Sequence, residues 1–227
     1  MSNPSTPTLA ARRAAILEDI ASAAKAGGRT SADVTLVAVS KMQPETRIEE
    51  ALAAGQLVFG ENRVQEAITR WQHRRAAHPD LELRLVGPLQ TNKAEDAVAL
   101  FDVIETLDRE KLARAILKAM EKTGRTPRLY VQVNTGEEPQ KAGITPKNVP
   151  AFVAEMRAAM PQGIEGLMCI PPVDEPASLH FALLAKLAKA AGVEKLSMGM
   201  SADYALAARM GATSVRVGSA LFGAREG

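Results

Sequence analysis

The segment 35-TLVAVSK-41 decides how the rest of the chain is read. Thr, Leu and Val favour extended backbone, and a run apolar on both faces suits a parallel strand buried beneath helices. It ends in a lone lysine, Lys41, which such a strand would deliver to one end of a sheet. Downstream, Pro44 can open a helix in which Ile48, Ala51 and Leu52 share a face, and Gly55 can end it.

The same strand-then-helix unit recurs to the end of the chain. Apolar or β-branched runs predict strands over 56–60, 81–87, 103–107, 128–133, 164–170, 194–199 and 214–218. Helical spacing predicts helices over 61–77, 92–100, 108–124, from Pro146 onward, 175–191 and 201–210. Upstream, Ile16, Ile20 and Ala24 recur every fourth residue in an extra N-terminal helix that Gly27-Gly28 would stop. Eight strands alternating with helices spell a single α/β (β/α)8 TIM barrel. An open, doubly wound sheet would need two or three of these strands to be absent. The 227 residues sit near the ~250 typical of such barrels. No linker-like stretch interrupts them, so one domain over 1–227 is expected, with the Pro/Ser/Thr-rich residues 1–8 flexible.

Composition excludes several classes of function. Apolar residues make up 46% and charged residues 24%, as in an ordinary globular protein. The 28 basic and 26 acidic residues are interspersed and aromatics make up only 4%, which argues against nucleic-acid binding. One cysteine, Cys169, permits no internal disulfide and suits a reducing compartment. No apolar run approaches the ~18 residues of a membrane span, and the N-terminus does not read as a secretion signal. A cytoplasmic setting without membrane contact is expected. The three histidines, His73, His78 and His180, show no metal-ligand spacing, and there is neither a dinucleotide fingerprint nor a P-loop. Cys169 is expected as a small core residue.

In a barrel, chemistry gathers at the carboxyl ends of the strands. Lys41 stands at the first. Position alone favours a solvated loop lysine, yet its apolar approach would hold the stem beside the core, where desolvation lowers an amine's pKa and favours attack on an aldehyde. After strand seven, 196-LSMGMSADYALAARMG-211 turns through Gly199 into a helix whose expected N-cap is Ser201, a natural phosphate site. After strand eight, in 214-SVRVGSALFG-223, Gly218 permits close approach of a ligand, Ser219 can donate to phosphate, and 219–222 can form a short extra helix. Barrel phosphate sites use these two loops, and their coincidence reverses the odds on Lys41. Arg216 alternates with Val215 and Val217 and would point into the barrel mouth. The loop 134–143 is expected to be mobile at that mouth.

A Schiff-base lysine after strand one, with a phosphate clamp after strands seven and eight, lays out a pyridoxal 5'-phosphate site. Through VAVSK, FGENRVQE, GPLQTNK, the Gly136 to Gly143 loop, GLMCIPP, LSMGMSADY and VRVGSALFG, the chain resembles the pyridoxal-phosphate homeostasis (YggS-like) family. The barrel of that family is similar to the N-terminal domain of alanine racemase, the fold-type III arrangement. The resemblance implies pyridoxal phosphate (PLP) bound as an internal aldimine on Lys41. It implies Asn62 near the ring, Met200 and Ser201 in the phosphate turn, Gly218 and Ser219 as phosphate donors, Arg216 near the pyridine nitrogen and Met198 packing beside the cofactor. It further implies a monomer that carries or buffers the cofactor for apo-enzymes without robust catalysis. The alternative is an amino-acid racemase, which would need a second acid/base beyond Lys41; a barrel for a sugar phosphate is a third possibility. Two positions depart from the family pattern. Arg84 stands where a histidine is common, and Arg63 where a tyrosine is frequent.

Overall fold

The computed structural model describes residues 7–160 and 163–223. Eight parallel strands close into a barrel in chain order. They are β1 (Thr35–Val39), β2 (Val58–Glu61), β3 (Glu82–Leu85), β4 (Val103–Leu107), β5 (Arg128–Val133), β6 (Ile164–Cys169), β7 (Lys195–Ser197) and β8 (Ser214–Val217). The barrel shuts where β1 pairs with β8, Leu36 beside Val215 and Val37 beside Arg216.

Alternation along each strand divides two environments. Leu36, Phe59, Leu83, Leu85, Ile104, Val131, Leu167, Leu196 and Val215 belong to one continuous buried core shared with the helices. Their neighbours Val103, Tyr130 and Met168 form a separate buried cluster inside the barrel. Burial of each such Leu, Ile or Phe stabilises by about 1.5–3 kcal/mol.

Between strands run α2 (Glu45–Ala53), α3 (Val64–Trp71), α4 (Ala94–Leu100), α5 (Glu110–Thr123), α6 (Val149–Ala159), α7 (Ala177–Ala191) and α8 (Tyr204–Arg209), and α9 (Ser219–Phe222) follows β8. The extra helix α1 (Leu9–Ala26) buries Leu9, Ile16, Ile20 and Ala24, and its cap Thr8 accepts from the Ala11 amide. Of the segment expected to be flexible, residues 1–6 lie outside the described residues. Arg12 of α1 ties this helix to the end of α9, donating from Nε to the Leu221 carbonyl at 2.6 Å and from Nη2 to that of Phe222 at 3.3 Å.

Several boundaries differ from expectation. The third helix begins at Val64 and ends at Trp71, because Glu61 is the buried last residue of β2 rather than a helix opener. The helix expected at 201 begins at Tyr204 with Asp203 as its N-cap residue, and the Ser201 side chain bonds to another loop. Among the described residues no helix is long and apolar enough to cross a membrane.

Candidate functional site

A cavity of about 380 Å³ opens at the carboxyl ends of the strands. Lys41, Asn62, Met200, Ser201, Arg216, Gly218 and Ser219 all line it, so the seven residues singled out in sequence share one space. Val39, Gln43, Val86, Ile170, Ala202 and Gly223 complete the described lining. Val86 and Ile170 continue strands toward the mouth and were findable as such. Gln43 gave no signal.

Lys41 follows β1 in a turn in which Met42 takes a left-handed φ of 58°. Its half-buried side chain makes no ion pair or hydrogen bond with the described residues, leaving the amine free toward the cavity. Behind it, Glu61 is fully buried. Its Oε1 accepts from Ser40 Oγ at 2.7 Å, Arg70 Nη1 at 2.8 Å and Trp71 Nε1 at 2.9 Å. Arg70 also donates to the carbonyls of Ser40 and Gln43, both at 3.0 Å, so one guanidinium grips the turn on either side of Lys41. A buried carboxylate is tolerable only when paired in this way.

The turns after β7 and β8 face each other. Ser201 Oγ accepts from the amides of Gly218 at 3.2 Å and Ala220 at 3.3 Å, lacing the two loops together. The amides of Ser201, Ala202 and Ser219 take no acceptor among the described residues and are available to an anion. Gly218 has a negative φ of −112°, and a Cβ there would meet nothing nearer than the Val39 carbonyl oxygen at 3.6 Å. No contact within the chain therefore explains its missing side chain. Gly199 is different: its φ of +90° and the nearby Ala207 Cβ both demand glycine.

Arg216 is 4% exposed and lines the cavity from the barrel interior. It donates from Nη1 to Ser197 Oγ at 2.6 Å and from Nη2 to the Cys169 carbonyl at 2.7 Å. A guanidinium only donates, so a ring nitrogen placed against it must accept, and would do so unprotonated. Asn62 is half-buried with its backbone pressed onto Gly87, where a Cβ would stand 2.6 Å from Asn62 Cα. Together these residues fit a molecule with an aldehyde at one end, a phosphate at the other and an aromatic ring between.

Other expectations are met only in part. Met198 is fully buried in the core outside the barrel and does not line the cavity, because Ser197 takes the inward position on β7. Asn134 ties down the loop after β5, its Nδ2 donating to the Glu138 carbonyl at 2.8 Å and that of Lys141 at 3.3 Å. Cys169 is fully buried, and burial pushes its thiol up to about 12, which removes it as a nucleophile. Arg63 points to solvent and pairs with Glu66 at 3.0 Å rather than rimming this cavity. Neither tyrosine lines it. Tyr130 sits inside the barrel, its phenol raised to about 12 chiefly by burial, and Tyr204 donates to Asp19 Oδ2 on α1 at 2.6 Å. No group of His, Cys, Asp and Glu among the described residues could hold a metal ion.

Residues 14–226 match the family model for the alanine racemase N-terminal domain. A pyridoxal phosphate homeostasis protein of Vibrio alginolyticus is 40% identical over 210 residues, 88% of this chain and 90% of that protein. PipY of Synechococcus elongatus PCC7942, solved with PLP bound, superposes with a TM-score of 0.81 at 38% identity, over 95% of this chain and 100% of its own. An alanine racemase of Clostridium difficile shares the fold alone, with a TM-score of 0.67 at 17% identity over 93% of this chain and 57% of that one.

Proposed function

Because the chain belongs to the alanine racemase N-terminal domain family and, within it, to the pyridoxal phosphate homeostasis proteins, we propose that it binds pyridoxal 5'-phosphate and serves in its intracellular carriage. The cofactor is held as a Schiff base on Lys41. The Lys41 amine adds to the aldehyde, one water leaves as the C=N bond forms, and hydrolysis or a competing amine reverses the step. The carrying observation is a single cavity that joins an unpaired lysine to unclaimed amides on the turns after β7 and β8.

Each residue has a task that needs no turnover. The amides of Ser201, Ala202 and Ser219, with the Ser219 hydroxyl, bind the phosphate, and the bare backbone of Gly218 lets it approach. Asn62 packs beside the ring, and Met200 closes the phosphate end. Bound PLP supplies an electron-withdrawing ring, and Arg216 weakens that sink by disfavouring a proton on the pyridine nitrogen. Lys41 and Arg216 are the only ionisable side chains among the described lining residues. A racemase needs a second acid/base, and a guanidinium serves poorly in that role at neutral pH. We therefore read the chain as a carrier rather than a racemase and propose, as the family resemblance implies, that it is a monomeric, cytoplasmic protein that gives its cofactor to apo-enzymes.

Adding PLP to the purified protein should produce a Schiff-base absorbance band, and borohydride should fix the label on Lys41 in a peptide map. Absence of the band, or a label on another lysine, would overturn the proposal. Exchange of amino-acid α-protons with deuterated solvent at ~1 s⁻¹ or faster would select the racemase reading instead.

A further inference from the structure

We infer that Glu105 is a positioning residue for Arg216, acting through the Ser197 hydroxyl, and that Arg84 is the cation that keeps this buried carboxylate in place. Glu105 on β4 is fully buried inside the barrel. Its Oε2 accepts from Ser197 Oγ at 2.6 Å, and the same hydroxyl accepts from Arg216 Nη1 at 2.6 Å. Its Oε1 accepts from Arg84 Nη1 at 3.1 Å. These contacts cross the barrel from β3 through β4 and β7 to β8.

The chain of contacts has a single polarity. A guanidinium can only donate and a carboxylate can only accept, so the one Ser197 proton must go to Glu105 and its lone pair to Arg216. The arrangement cannot reverse, which fixes the guanidinium plane. Two of the five N–H donors of Arg216 are committed, to Ser197 and to the Cys169 carbonyl, and the other three have no hydrogen-bond acceptor among the described residues. Since Arg216 is, among the described residues, the one ionisable wall residue besides Lys41, whatever aims it shapes the donor field a ligand meets.

Arg84 explains how the barrel accommodates the carboxylate. It is 4% exposed and also donates from Nε to Glu82 Oε1 at 2.6 Å. A histidine here, as the family resemblance leads one to expect, can be buried neutral; an arginine cannot, and is met by two carboxylates, Glu82 and the facing Glu105. The departure at Arg84 thus reaches the ligand cavity, two contacts beyond Glu105.

The restraint on Arg216 stands independently, while its effect on the cofactor rests on the function proposed above. In ¹⁵N-labelled protein without PLP, the Arg216 Nη–H signal, assigned from its loss in Arg216→Lys, should be sharp and slow to exchange. Glu105→Gln and Ser197→Ala should each broaden it and speed its exchange at least tenfold, and the double variant should do no more than the stronger single one. Ser197→Ala removes only a hydroxyl and keeps the test valid if Glu105→Gln does not fold. With PLP, both variants should shift the absorbance maximum and raise Kd about tenfold. A native Nη–H signal in Ser197→Ala, additive effects in the double variant, or a native PLP spectrum and Kd in both single variants would overturn the inference. Failure of the unsubstituted chain to take up PLP would refute the proposed function, and the resonance would still decide the role of Glu105.

Discussion

The Ser40 hydroxyl donates to Glu61 Oε1 across 2.7 Å, joining the end of β1 to the end of β2 behind Lys41. That oxygen also serves Arg70 and Trp71, whereas Glu61 Oε2 is buried without a partner. Glu61→Gln keeps the shape and deletes the charge facing Arg70, so it should destabilise the fold by about 3 kcal/mol. The midpoint of urea unfolding reads this directly. A shift worth less than ~0.5 kcal/mol, the usual range of a neutral surface change, would show that the cluster does not hold the turn.

Gly218→Val separates binding from folding. The new side chain starts with its nearest neighbour 3.6 Å away, so the fold should lose at most about 1 kcal/mol. Its branches would stand at the cavity wall between the two phosphate turns, and Kd for PLP should rise at least ~100-fold, about 2.8 kcal/mol. Fluorescence titration beside a melting curve measures both. Native affinity would place the phosphate elsewhere.

Gly87→Ala should damage both properties. Its methyl would collide with the Asn62 backbone, and Gly87 cannot retreat freely because its carbonyl accepts from Thr106 Oγ1 at 2.9 Å. Overpacking of this kind costs about 1–3 kcal/mol, and Asn62 should be displaced from the cavity. Denaturant unfolding and PLP titration of the same sample should move together; a native value in either would contradict the contact.

Alkali should weaken the fold through protons the native state refuses to release. Burial raises the Cys169 thiol from 9.0, and the phenols of Tyr130 and Tyr204 from 10.0, each to about 12. Above pH 9 the unfolded chain has released a thiol proton that the folded chain retains, so it binds fewer protons and stability must fall with rising pH. The contribution is intact below pH 9, and its loss runs from there to about 12. Unfolding midpoints between pH 8 and 10 should decline less steeply for Cys169→Ala than for the native chain; equal slopes would assign the loss to other groups.

The barrel was legible because its strands are apolar runs closed by turn residues, and β4 and β5 fall on the predicted 103–107 and 128–133. Lys41, Ser201, Gly218 and Ser219 were legible for the same reason, since strand ends must converge on one mouth. What stayed hidden was pairing at long range. Glu61 reads as a helix opener, and nothing local says that Ser40, twenty-one residues earlier, will donate to it. Glu105 reads as an ordinary strand position, because its partner Ser197 lies ninety-two residues away. Ser201 and Asp203 both suit an N-cap, and only the fold shows that Ser201 instead accepts from the Gly218 amide. Met198 was misplaced because a single inward residue, Ser197, sets the parity of so short a strand.

The seam between β1 and β8 has a consequence for the birth of the protein. Lys41 emerges from the ribosome with the first strand, but the loop that completes its cavity follows the last. Domains acquire structure as synthesis proceeds from the N-terminus, and a pairing between first and last strands must wait longest of all. A nascent chain therefore presents Lys41 before the turns that share its cavity exist. The cavity that Lys41 lines is completed only after translation has passed Ser219.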